Sequence, residues 1–212
     1  MVKKKIGFDL SLIADAFGIN RATKSESLDE WLNTAAYSLT NEELKILDKI
    51  FDDITEDGDY WNEEELKIKA VGILFFLADI AVKNKIKIFY ERPLSAVVND
   101  YHLSVITDCM VATPMAFNSP RHPYFFLQEF KKGKGEKRDP EAQTLCAMLI
   151  AQHHNNENKP LFGGYLVGSN WRFSTLNGQD YCVSRQFDAA NKNDLLQIVL
   201  ILRNLKELIL KR

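Results

Sequence analysis

The stretch YFFLQEFKKGKG, residues 124–135, begins as an aromatic β-segment and ends in a basic, glycine-spaced tail. Side chains alternate across a strand that rises about 3.3 Å per residue, so Glu129 and Lys131 share one face, roughly 6.6 Å apart along the backbone. The same alternation assigns Phe125 and Leu127 to their face, and Tyr124, Phe126, Gln128 and Phe130 to the other. Both faces are apolar over most of the segment, which predicts a strand covered on both sides. The two charges then emerge where the strand leaves the core, the end at which open sheets place their sites.

Upstream, KIKIFYERPLSAVV (85–98) and YHLSVITDCMVA (101–112) read as strands joined by a turn at Asn99-Asp100. The second carries Asp108 among apolar neighbours, and a lone Asp in a buried strand is costly unless it is paired or binds a cation. PMAFNSPRHP (114–123), with three prolines, is expected to be a loop. Downstream, the loop GKGEKRDP leads into a helix, EAQTLCAMLIAQHH, with Asp139 as N-cap, Pro140 at its first position and Gln143 one turn in. LFGGYLVG, WRFSTLN and QDYCVSRQF read as three short strands, the last two joined at Asn177-Gly178. The amphipathic run NDLLQIVLILRNLKELIL closes the chain as a helix.

Ahead of the strands the texture is helical. Residues 1–27 have no sustained period, and Phe8, Leu12 and Phe17 are the candidates for docking. SLDEWLNTAAYSL predicts a helix capped by Ser27 with Glu30 three positions on. TNEELKILDKIFDDI predicts a second, capped by Thr40 or Asn41, with Leu44, Leu47, Ile50 and Phe51 on one face. From Asn62, NEEELKIKAVGILFFLADIAVKN reads as one long, largely buried helix whose first turn holds three glutamates, residues that favour a helix N-terminus. The expected organisation is a helical extension over 1–58 and an α/β domain over 59–212, with a central mixed β-sheet flanked by helices.

A net charge of −2 in 212 residues excludes a uniformly basic coat while leaving room for local basic patches. Cys109, Cys146 and Cys182 are odd in number and lie in apolar segments, which reads as buried thiols in a reducing, cytoplasmic setting. The most apolar run, 70–82, is too short to span a bilayer, and no signal-peptide pattern opens the chain. The cysteines lack zinc-site spacing, and adjacent His153 and His154 diverge on a helix and suit its C-terminal dipole instead. No GxSxG elbow or P-loop is present. Trp171, Phe173 and Tyr181 read as sheet core, and Glu91 as either a site-lining or a surface-paired carboxylate.

Asp108, Glu129 and Lys131 together offer two carboxylates and an ammonium at the ends of adjacent strands. Such an oxygen-rich set suits Mg²⁺, which would polarise a phosphodiester and lower the pKa of a bound water. The lysine would orient that water or offset charge developing on phosphorus. The ordered set Asp108, Glu129-Phe130-Lys131 and a following helix with Gln143 resembles the PD-(D/E)XK nuclease superfamily. The resemblance covers residues 62 to about 185, with Thr107 where the family name has Pro. WNEEELK, YFFLQEFKK, DPEAQTLCAMLIAQ and SNWRFSTLNGQDYCVS are also similar to uncharacterised bacterial members.

The resemblance implies a restriction-endonuclease-like core and an acidic residue on the first core helix. Glu63 continues the inward stripe of Leu66, Ala70, Leu74 and Leu77, with Glu64 as the alternative. It further implies Mg²⁺ or Mn²⁺ held by Glu63, Asp108 and Glu129, and catalysis by Asp108, Glu129, Lys131 and Gln143. Lys132, Lys134, Lys137 and Arg138 in the basic tail would contact a DNA backbone. The expected function is a metal-dependent DNA nuclease; the alternative is a nuclease-fold module that binds nucleic acid or protein without cutting. Residues 41–65 hold eleven acidic and two basic side chains, so the extension suits a protein partner better than DNA. A second copy of the chain is a further partner to consider, and a membrane is not.

Overall fold

The turn at Asn99-Asp100 forms as the sequence predicts, with both residues left-handed at φ 46° and 68°. In the computed structural model, which describes residues 4–132 and 139–212, it joins β3 (Lys87–Val98) to β4 (Tyr101–Met115) as an antiparallel pair. The segment 114–123 is not a loop. β4 runs on to Met115, a tight turn spans Ala116–Asn118, and β5 (Ser119–Lys131) starts at once, so Pro114 and Pro120 stand opposite each other in a long hairpin. Prolines are tolerated there because the pairing is irregular, with register shifts on either side of Ala112.

Those shifts revise the facial assignment of β5. Val111 faces Phe126 while Ala112 faces Tyr124, so Phe125 is an extra, bulged residue. Beyond the bulge the alternation reverses: Phe125 packs in the same cluster as Phe126 and Phe130, and Tyr124 in that of Leu127.

After residues 133–138, which lie outside the described chain, Asp139 caps α6 (Pro140–Asn155) by accepting the amides of Glu141 and Ala142. The chain then returns as β6 (Leu161–Val167), parallel to β5. β7 (Asn170–Asn177) and β8 (Asp180–Val183) follow antiparallel, and QDYCVSRQF breaks into β8 and a separate two-residue strand, β9 (Phe187–Asp188), also paired to β7. α7 (Lys192–Leu210) closes the fold.

The segment 1–58 enters the same sheet and the same core in its described part. β1 (Lys4–Lys5) lies parallel to β4, and β2 (Asn20–Ala22) parallel to β8. Between them, α1 (Leu10–Phe17) buries Ile13 and Phe17, whereas Leu12 is 58% exposed and does not dock. α2 (Glu26–Leu32) is capped by Ser25 rather than Ser27, and it stops seven residues short of Leu39. The reason is tertiary: the Asn204 amide on α7 donates to the carbonyls of Glu30, Trp31 and Asn33, occupying the acceptors a helix end leaves open. α3 (Asn41–Asp57) has Thr40 as its cap, in a capping box with Glu43, and buries Leu47, Ile50 and Ile54.

The predicted long helix is a single rod with a change of register: α4 (Glu63–Leu66), a π-helical turn (Lys67–Val71) and α5 (Gly72–Leu77). It ends at Leu77, well before Asn84, and its stripe of Leu66, Ala70, Leu74 and Leu77 is buried. This rod, α2, α3 and α7 cover one face of the sheet, while α1 and α6 cover the other. Trp171, Phe173 and Tyr181 are core, and all three cysteines are buried free thiols. Among the described residues, no helix is long and apolar enough to cross a membrane.

Trp31 pins the N-terminal segment to the sheet. Its ring meets Phe126, Phe162 and Phe173 edge-on at 5.9, 5.0 and 5.0 Å, and its Nε1–H donates to Ile201 O at 2.9 Å. Trp31→Ala is therefore expected to lower unfolding stability by about 3–5 kcal/mol, in one transition seen alike by far-UV dichroism and by the fluorescence of the remaining Trp61 and Trp171. An early transition of its own, with the main one unmoved, would show that the segment unfolds independently.

Candidate active site

The site is built at the end of β5. Cys109 pairs with Gln128, and continuing that register by one residue sets Asp108 against Glu129. Directly opposed residues on antiparallel strands share a face, here the α6 face, since Met110 and Leu127 next to them pack in that cluster. Asp108 Oδ2 accepts the Phe130 amide at 2.6 Å, which ties the two strands together beyond the last paired residues.

Lys131 folds back over this pair. Its Nζ donates to Phe130 O at 2.7 Å and lies 3.8 Å from Asp108 Oδ2 and 3.7 Å from Glu63 Oε1. Glu63 projects from the first turn of α4, with its side chain 41% exposed, whereas Lys131 is almost fully covered. The structure thus turns Glu63 toward Lys131, while Glu64 pairs with Lys67 at 3.0 Å and Glu65 closes the helix cap and pairs with Lys69.

Glu129 is the unusual member. It is 1% exposed, and among the described residues neither carboxylate oxygen makes a well-aligned hydrogen bond, although the Asp108 amide lies close enough to act on it. Burial raises its pKa well above the ordinary carboxylate range, and the nearby Asp108 carboxylate raises it further, against the pull of Lys131 and of the Asp108 amide. Asp108 is also raised, first by burial; the Phe130 amide and Lys131 oppose the shift and the Glu91 charge adds to it. On α6, burial together with the Glu129 charge pushes the Cys146 thiol up to about 12. Gln143, one turn earlier on that helix, is buried with its Oε1 unpartnered among the described residues, and it makes no hydrogen bond to the carboxylates.

Two further residues join the cluster. Glu91 has left-handed backbone geometry (φ 52°) within β3, between the pairs Tyr90–Cys109 and Arg92–Thr107, and so stands across from Asp108. A non-glycine residue adopts that conformation at a cost of about 1–2 kcal/mol. Its carboxylate pairs with Lys67 in the π-helical turn. Burial works to lower the Lys67 pKa, but its bonds to Glu91 and Glu64 outweigh that and raise it. Glu91 is thus both surface-paired and site-lining, and counting outward from the Asn99-Asp100 turn already sets it against Asp108. Lys67 had no comparable signal, because a π turn is not legible in the residue pattern.

Of the basic tail, Lys132 is exposed just beyond β5, and Lys134, Lys137 and Arg138 lie outside the described residues. His153 and His154 sit in the last turn of α6, with His154 bonded to Ser95 O. Among the described residues, no group of three or more His, Cys, Asp or Glu side chains is arranged to hold a metal ion as it stands.

A buried carboxylate with no well-aligned donor makes a stability signature. The folded state binds the Glu129 proton more tightly than the unfolded state does. The contribution of Glu129 to stability is therefore lost as pH rises from the ordinary carboxylate value through the raised one. In EDTA, Glu129→Gln should match the wild type at the acid end and become roughly 1–3 kcal/mol more stable above that window, measured by denaturant unfolding. A variant less stable than the wild type at every pH would contradict the unpartnered carboxylate. No protein-family model matches the chain, and no curated protein matches it.

Proposed function

We propose that this chain is a divalent-cation-dependent nuclease with a restriction-endonuclease-like core, hydrolysing DNA phosphodiester bonds. The observation that carries the reading is the convergence of Glu63, Asp108, Glu129 and Lys131 at one end of the sheet, with Lys131 Nζ 3.7 and 3.8 Å from the first two. The chain order supports it as well. An acid opens the helix that leads into β3, an Asp lies on the second strand of the β3–β5 meander, Glu-x-Lys ends the third, and a Gln lies in the first turn of the next helix. That is the order the superfamily resemblance implies.

The donor set fits a hard cation such as Mg²⁺ or Mn²⁺. Glu129 has two buried oxygens with no well-aligned hydrogen bond among the described residues, and Asp108 commits one oxygen to the Phe130 amide. These two carboxylates would hold the cation, with Glu63 completing the set from α4. A bound cation there supplies Lewis-acid polarisation and a water of lowered pKa. The chain's own groups would do the rest. Asp108 is held in place by the Phe130 amide, and Lys131 orients the attacking water or offsets charge on the phosphate. Gln143 supports the site from α6, and Lys132 leads the basic tail along the backbone.

Supercoiled plasmid incubated with Mg²⁺ or Mn²⁺ should be nicked, and EDTA should stop the reaction. Asp108→Ala and Lys131→Ala should each lose about 10²–10⁴-fold in rate while keeping native dichroism. Undiminished cutting by both folded variants would remove these residues from the chemistry.

One observation favours a second reading, a nuclease-fold module that binds nucleic acid or a protein without cutting. Glu129 is closed to solvent, and the described carboxylates do not form a ready-made cage. Salt-sensitive DNA binding with no cleavage under any divalent cation is the result that would select it.

A further inference from the structure

The acidic pair is the start of a polar rung that continues across the sheet. Parallel pairing sets Tyr165 on β6 beside Glu129, and antiparallel pairing sets Arg172 on β7 beside Tyr165. All lie on the α6 face: Tyr165 reaches Glu141 on α6, and the Ser174 hydroxyl, two residues beyond Arg172, contacts Met148 on that helix. Strands are spaced about 4.7–4.9 Å apart, so Arg172 is two strands, roughly 10 Å, from Glu129.

The neighbours of Arg172 are already satisfied. The Glu141 carboxylate accepts the Tyr165 hydroxyl at 2.7 Å and pairs with Arg21 on β2, whose guanidinium also lies over the Tyr181 ring at 5.7 Å. The positive fields of both Arg172 and Arg21 reach the Tyr165 hydroxyl, which burial and Glu141 otherwise hold above its usual pKa. Arginine ion pairs among the described residues involve Arg21, Arg185 and Arg203. Arg172 is in none of them; among the described residues its guanidinium donates to the Ser184 carbonyl at 3.0 Å. A partly buried guanidinium has five donors, and leaving it without an anion is unfavourable. Anchored to the Ser184 carbonyl and partly exposed, on the same rung as Glu129 and in no ion pair among the described residues, it is a cation set out for a phosphate.

We propose that Arg172 grips a backbone phosphate of the substrate strand, a nucleotide or two from the bond cleaved at Lys131, so that the strand runs across the end of the sheet from β5 past β6 to β7. The Arg21–Glu141–Tyr165 network acts as its scaffold, positioning the rung without itself contributing net charge. This inference rests on the nuclease reading, and it names a residue two strands away from Glu129.

The test is fluorescence anisotropy of the full chain with labelled single-stranded and duplex oligonucleotides over a NaCl series, in EDTA and again with Ca²⁺. Removing one protein–phosphate interaction should flatten the log K against log salt slope by about 0.9 for duplex or 0.7 for single strands, and weaken binding roughly tenfold near 0.1 M salt. Arg172→Gln should show both changes. Arg172→Lys should keep the slope, and Arg121→Gln, on the distant arm of the hairpin, should change nothing. If the wild type binds and Arg172→Gln leaves the slope intact, the inference falls while the nuclease reading stands, even where affinity drops through a structural effect. If the wild type binds no DNA in either buffer, both fall.

Discussion

β5 is covered on both faces, by the α4–α5 rod, α2 and α7 on one side and by α6 on the other, and its two terminal charges inherit that constraint. Glu129 and Lys131 cannot turn to water without unpacking Leu127 and Phe130 beside them. Each must therefore be compensated from within. Lys131 finds its own chain's carbonyl, Asp108 and Glu63. Glu129 finds only partial compensation, from the Asp108 amide and the Lys131 charge, and no well-aligned hydrogen bond among the described residues. Such a buried carboxylate is a liability in a structural role and an asset in a site that takes up a cation or holds a proton, since its charge is then available where a ligand binds.

The backbone irregularities converge on the same end of the sheet. The π-helical turn carries Lys67 in, and the left-handed Glu91 brings its carboxylate to meet it. Each departs from the regular geometry of its element, and departures of this kind cluster where function or strain requires them. The N-terminal segment stabilises the scaffold from the opposite face. Trp31 fills the space against Phe126, Phe162 and Phe173, and Asn204 ends α2 so that the ring can enter.

Much of this was legible in the residues. The Asn99-Asp100 turn, the Asp139-Pro140 helix start, the stripe below Glu63 and the burial of Trp171, Phe173 and Tyr181 all follow from local chemistry and periodicity. The structure departs from the local pattern where a distant residue decides a local outcome. The end of α2 is set by Asn204, more than 170 positions away, and the cap moved to Ser25. The proline-rich segment looked like a loop because propensity sees the missing amides and not the hairpin partner. Leu12 looked like an anchor, yet α1 turns Ile13 and Phe17 inward instead.

By itself, the sequence determined that Glu129 and Lys131 share a face, because strand period is a property of the backbone. It also determined that Asp108 lies in a buried strand next to theirs. Whether Asp108 meets Glu129 was decided only in three dimensions. Counting back from the Met115–Ser119 pair at the hairpin tip would set Asp108 against Phe126, on the wrong face for a shared site. β5 carries three more residues than β4 across the two register shifts. An odd number of extra residues flips the facing side as well as sliding the register. Bulges form where packing on both faces and the twist of neighbouring strands demand them, and no local pattern in the chain announces their number.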